Sequence, residues 1–190
     1  MIYRIFNAKR SPVDFRPKGP SDRFDHHRGP GLALGFEPRG CDAARDPERR
    51  VLYAGIDLTC CLVERFRETR VIQGGTNALA KLRVTRSLKL LDLRGMGTLR
   101  NGVTAEIAKE PDRLATQAWS RYFVGSGIYG NLDGIVWPSR VVDLDTFVFF
   151  ESADGAFEVL RTIRLNDPLL RAPIDALVSR TAFVRETNFY

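Results

Sequence analysis

Three residues capable of polar chemistry, Arg23, Glu64 and Ser139, each stand at the edge of an apolar segment. An arginine offers a planar fork of donors suited to phosphate or carboxylate. A glutamate supplies negative charge, and a serine hydroxyl both donates and accepts hydrogen bonds. Aromatic residues accompany them: Phe24 follows Arg23, Tyr53 precedes the segment that holds Glu64, and Trp137-Pro138 precede Ser139. Taken singly, Arg23 is one surface arginine among many and Glu64 a solvated helix residue. Together they are a candidate constellation. Tyr53 at the end of a strand, just before the Glu64 helix, lets an aromatic face and a carboxylate border one cleft. Pro138 fixes the backbone ahead of Ser139, which suits a ligand-facing rim.

Other motifs point elsewhere and fail on context. Gly125-Ser126-Gly127-Ile128-Tyr129-Gly130 spells G-x-G-x-x-G, but a dinucleotide fingerprint must leave a strand and open a helix. Here a helix-like segment precedes the glycines and a turn and strand follow, so a flexible connection is the expectation. Asp25-His26-His27 resembles a metal cluster, yet adjacent histidines in extended chain point to opposite sides and no further ligand spacing accompanies them. A polar loop is expected, and no metal. Ser139 has neither a G-x-S-x-G elbow nor a downstream histidine to act as its base, which argues against a serine hydrolase.

The elements that must position these residues follow from periodicity. Ile2-Tyr3-Arg4-Ile5-Phe6 alternates as a strand, and the rest of Met1 to Arg50 is expected to form long loops. Val51 to Ala54 is a short apolar run ended by Gly55. Asp57 is the expected N-cap of a helix to about Glu68, with Leu58, Cys61, Leu62 and Phe66 on one face and Glu64 off it. Strands are expected over 79–85 and 88–94, and a helix over 112–123 with Leu114, Ala118 and Tyr122 in step. Further strands are expected over 134–137, 146–150 and 157–165. Asp167 caps a last helix that Pro173 should bend or end. The pattern predicts an α+β fold in a single domain of residues 1–190, with a C-terminal strand and helix over 152–190.

Composition narrows the setting. The chain of 190 residues is 44% hydrophobic, enough for one domain with a sizeable core. No apolar stretch approaches the roughly 20 residues that cross a bilayer, so no membrane association is expected. The three cysteines, Cys41, Cys60 and Cys61, are odd in number with two adjacent, which fits a reducing cytoplasm better than a disulfide framework. The 29 basic and 23 acidic residues leave +6, of which +4 falls within Met1 to Arg50 (11 basic, 7 acidic). Scattered single arginines suit a dinucleotide pyrophosphate, an acidic protein or nucleic acid, and charge does not choose among these.

The order Ser21-Asp22-Arg23-Phe24-Asp25, then Leu52-Tyr53 through Glu64, then Asp133-Gly134-Ile135-Val136-Trp137-Pro138-Ser139 resembles the RES domain family, most strongly over residues 20–151. Leu88 to Arg94 and Thr146 to Glu151 resemble two further family strands. The family's arginine is more often followed by Trp-Asn or a similar pair, whereas Phe24-Asp25-His26-His27 stand here. The resemblance implies an ADP-ribosyltransferase-like mixed β-sheet core with flanking helices. It also implies NAD as substrate with no further cofactor, and the role of toxin in a bacterial toxin–antitoxin pair.

On that reading Glu64 stabilises the oxocarbenium-like charge that develops when the nicotinamide–ribose bond breaks. Arg23 is catalytic as well and binds a phosphate or ribose oxygen. Phe24 and Tyr53 enclose nicotinamide or ribose, and Ser139 orients the ligand. The expected reaction is hydrolysis or phosphorolysis of NAD, with protein ADP-ribosylation as the alternative and a non-catalytic nucleic-acid-binding module as a second. The implied partner is an Xre-like helix-turn-helix antitoxin, to which any DNA binding would belong.

Overall fold

The computed structural model describes residues 1–28, 44–187 and 189. Cys41 and most of the segment between Arg28 and Arg50 lie outside the described residues. In chain order the elements are β1 (Ile2–Asn7), β2 (Lys18–Gly19), β3 (Ala44–Arg45), β4 (Val51–Gly55), α1 (Leu58–Phe66), β5 (Val71–Ile72), β6 (Asn77–Val84), β7 (Leu90–Asp92), α2 (Met96–Arg100), α3 (Arg113–Gly125), β8 (Gly134–Pro138), β9 (Asp145–Phe150), β10 (Phe157–Arg164), α4 (Arg171–Val178) and β11 (Val184–Arg185). The fold is α+β. Seven strands form one mixed sheet in the order β10-β6-β1-β4-β9-β8-β7, antiparallel throughout except for the β7–β8 pair. Short pairs β2–β3 and β5–β11 stand outside it. Among the described residues no helix is long and apolar enough to cross a membrane.

The sheet has a weak seam. β1 pairs with β6 along its whole length, but it meets β4 only at Tyr3 opposite Gly55. Successive strand residues face opposite sides, and the packing follows that alternation. On one side a continuous core runs across the seam, with Ile2, Phe6, Leu52, Ala54, Ala80, Leu82 and Phe149. On the other, two cores are separate: Leu62, Val63, Phe66, Leu79 and Ile174 under α1 and α4, and Phe24, Val51, Phe123, Ile135, Trp137 and Val148 beside α3. The seam lies where these two cores part.

Gly55 is needed at the seam because α1 packs directly onto it. A Cβ there would lie 3.0 Å from the Sγ atoms of both Cys60 and Cys61. Asp57, in extended conformation, accepts the Cys60 amide at 2.7 Å and starts α1 as expected. The buried face is wider than expected, since Cys60 and Val63 join Cys61, Leu62 and Phe66 while Leu58 is only half-buried. Cys60 and Cys61 are free thiols, and Cys61 donates to the Tyr3 carbonyl at 3.1 Å.

Two expectations are corrected. The α3 face in step with Leu114, Ala118 and Tyr122 is not the buried one: Thr116, Gln117, Ser120 and Phe123 are inside, and Tyr122 is exposed. Polar residues face inward because they hold the backbone of the Arg23 turn. Asp25-His26-His27 does form a polar loop, and it is wholly buried, with the His26 Nε2 against Glu151 at 2.9 Å and the His27 Nε2 against the Arg16 carbonyl at 3.1 Å. Pro173 does not end the last helix, because it is the third residue of α4, within the first turn whose N–H groups have no intrahelical partner. The glycine run 125–130 does leave a helix and lead to β8, with Gly127 and Gly130 in the left-handed region.

Candidate functional site

Glu64 stands on α1 off its buried face, with its side chain about one-fifth exposed. Both carboxylate oxygens are engaged: Oε1 accepts the Ser139 hydroxyl at 2.6 Å, and Oε2 accepts the Arg67 guanidinium at 3.0 Å. Ser139 follows β8, in the other core's half of the sheet, so this bond bridges the seam. The serine is buried, and its oxygen also accepts the amides of Val141 and Val142 at 3.2 and 3.4 Å. Its hydroxyl is therefore aimed at Glu64. A carboxylate has about four acceptor sites; those unused by Ser139 and Arg67 are available to a ligand.

Arg23 occupies the tip of a tight turn, Ser21 to Asp25, and is 6% exposed. Its guanidinium donates to the Glu110 carbonyl. Burial lowers its pKa, as do the neighbouring cations Arg67, Arg140 and Arg113, while Glu64 acts in the opposite direction. Of these arginines Arg67 contacts Glu64 directly, and Arg140 and Arg113 act on Arg23. Arg113 donates to Glu68 at 2.8 Å and to the Ser21 carbonyl at 3.2 Å, and Arg67 reaches Glu68 at 3.4 Å. Arg140, directly after Ser139, is exposed. Arg23, Arg67, Arg113 and Arg140 stand with the carboxylates of Glu64, Glu68 and Asp22, so four positive against three negative charges leave one positive charge in excess.

Two walls hold the Arg23 turn. From α3, the Gln117 amide donates to the Asp22 carbonyl at 3.0 Å and the Ser120 hydroxyl to the Phe24 carbonyl at 2.8 Å. From β4, the Tyr53 hydroxyl donates to Asp25 at 2.8 Å. Burial and the Asp25 carboxylate push the Tyr53 pKa far up, so the phenol keeps its proton. Tyr53 lies in the middle of its strand and is half-buried, with its ring edge-on to Trp137 at 6.2 Å. Phe24, expected on the ligand side, is wholly buried and packs edge-on against Trp137 at 4.7 Å. It supports the wall from behind.

Arg23, Tyr53, Glu64 and Ser139 are thus brought together at one seam. Sequence reasoning passed over Arg16, Asp25, Arg67, Arg113 and Arg140. Arg67 stands three residues after Glu64 and Arg140 one after Ser139, so spacing could have found both; Arg113 and Arg16 carry no local signal. An open hollow of about 390 Å³ lies away from this site, beside the start of α1, lined by Tyr3, Leu58, Leu79, Lys81, Arg161 and Leu170 among others. It contains none of the residues just described.

The seven-stranded mixed sheet with its flanking helices defines the class, a mixed α+β domain. The same fold occurs in a chain of the crystal structure of the M. tuberculosis MbcT–MbcA toxin–antitoxin complex, with a TM-score of 0.59 and 16% identity over 92% of this chain and 88% of that one. No curated protein matches the sequence. The RES domain family matches residues 1–175, and the chain belongs to that family. The matched span is wider than 20–151 and takes in β1, β10 and part of α4.

Proposed function

We propose that the protein is an enzyme that consumes NAD by breaking the bond between nicotinamide and ribose, and that it acts as the toxin of a toxin–antitoxin pair. The observation that carries this reading is the Glu64 carboxylate, fixed by Ser139 and Arg67 beside the buried Arg23 turn. A dinucleotide pyrophosphate carries two negative charges, and guanidinium forks suit its oxygens. Arg23, Arg67, Arg113 and Arg140 are the residues that would bind it, with the Tyr53 ring as a wall for ribose or nicotinamide.

In the reaction the C–N bond between ribose and nicotinamide breaks, and its electron pair leaves with nicotinamide. Positive charge develops on the ribose ring. Glu64 stabilises that charge through its own negative charge and by accepting a hydrogen bond from a ribose hydroxyl at a free lone pair. Ser139 and Arg67 fix the carboxylate in advance, so it need not reorganise as the charge develops. Water or phosphate then adds at the ribose carbon, and the incoming nucleophile loses its proton to solvent. The residues at the site complete this chemistry without a further cofactor.

Free NAD consumption in the cytoplasm would poison the host cell, so a restraining partner is part of the proposal. It is an Xre-like helix-turn-helix antitoxin that occludes the site, and the basic rim favours an acidic or carboxylate-ended segment of it. The fold shared with a chain of a toxin–antitoxin complex supports this reading. The test is expression of the chain in a bacterial cytoplasm, with cellular NAD followed and products identified by mass spectrometry. Growth arrest with falling NAD and free ADP-ribose or its 1-phosphate is the expected result. ADP-ribose attached to a protein would establish the transferase alternative, and unchanged NAD would refute the reading.

A further inference from the structure

We propose that Asp25 is a positioning residue that ties the Arg23 turn to the Tyr53 ring, with Arg16 holding its charge in place. The proposal rests on the NAD reading for its kinetic consequence, but not for its geometry. Asp25 is wholly buried and its two oxygens meet donors from three directions. The amides of Ser21 and Asp22 donate to Oδ2 at 2.6 and 3.0 Å, closing the turn whose tip carries Arg23. Arg16 reaches both oxygens, at 2.8 and 2.9 Å. The Tyr53 hydroxyl donates to Oδ1 at 2.8 Å, across 28 residues of sequence and from a different element.

A carboxylate that only closed its own turn would need no donor from β4. The two amides both use Oδ2, and Arg16 spans the two oxygens with its single Nη2, which leaves one acceptor site on Oδ1 that the Tyr53 hydroxyl fills. Burial alone would raise the Asp25 pKa, but Arg16 and the two amides outweigh it and hold the group below its ordinary value. Asp25 is therefore charged, and Tyr53 has one proton to give. That proton is spent on Asp25, so the tyrosine offers a ligand its ring and not a donated hydrogen bond. The tether sets the ring's angle and, through the same carboxylate, the position of Arg23. One charged group thus couples the aromatic wall to the arginine.

Tyr53→Phe cuts the tether and keeps the ring. Its first readout is amide hydrogen exchange with no ligand present, where loss of one hydrogen bond to a charged group should speed exchange at Ser21 and Asp22 about tenfold. In steady-state kinetics with NAD the same variant should raise KM about tenfold with a much smaller change in kcat. Asp25→Asn should raise KM as well, and the double variant no further than the larger single effect, because both changes remove one coupling. Unchanged exchange at 21–22 in Tyr53→Phe, or KM effects that add in full, would overturn the proposal. A wild-type protein that leaves NAD intact refutes the NAD reading instead, and the exchange measurement still decides the tether.

Discussion

Ser139→Ala removes one oxygen and asks whether the serine acts through Glu64. The lost bond is short, at 2.6 Å, and its acceptor is a carboxylate oxygen shielded by the seam. Hydrogen bonds to charged groups contribute about 1.5–3 kcal/mol, and each 1.36 kcal/mol is tenfold in rate, so kcat for NAD should fall about 10- to 150-fold. KM should change much less, because the arginines that bind the anion are untouched. The amides of Val141 and Val142 also lose their acceptor, which should lower stability by about 1–3 kcal/mol. Initial rates over a range of NAD concentrations, with a thermal melt of each protein, separate the effects. Wild-type kcat, or a rise in KM with kcat preserved, would refute the argument that Ser139 positions Glu64 and return it to direct ligand contact.

Arg23→Ala should weaken NAD binding in a calorimetric titration more than Arg23→Lys, which keeps the charge but loses the planar fork. Equal affinity in all three proteins would place Arg23 outside the binding site. Gly55→Ala should lower stability by about 1–3 kcal/mol in denaturant titrations, because the new methyl would press on both thiols at 3.0 Å; a neutral result would mean that α1 yields freely at the seam. Burial holds the His27 pKa below its ordinary value of 6.5, and the attraction of Asp25 does not restore it. The unfolded chain therefore takes up the proton first. The stability that neutral His27 contributes is present above pH 6.5 and lost as pH falls through the folded-state value, so melting temperature should drop from pH 7 to pH 5 and drop less in His27→Gln.

Local signals were readable in the chain and tertiary ones were not. Asp57 and Asp112 marked two helix starts because a side-chain cap depends only on residues two or three positions away. The buried face of α3 was misread because apolar periodicity assumes an apolar core, whereas Gln117 and Ser120 are inside to hold the carbonyls of Asp22 and Phe24. The burial of the Asp25-His26-His27 loop carries no local signal either, because Arg16 and Glu151, which accommodate it, lie on other parts of the chain. Arg23, Tyr53, Glu64 and Ser139 stood out by type and order. Their meeting at one seam, and the turn of Ser139 toward Glu64, depend on the sheet order, which short-range pattern does not encode.

The central claim is that Glu64 stabilises positive charge as the nicotinamide–ribose bond breaks. Nicotinamide release from NAD by purified wild-type protein and by Glu64→Gln, at matched concentration and with matched melting temperatures, tests it most directly. Gln keeps the shape and a hydrogen-bond acceptor but not the negative charge. Steady release by the wild type and a fall of about a hundredfold or more in the variant, with NAD binding largely retained, is the expected result. Equal release by the two proteins, or none by the wild type, would contradict it.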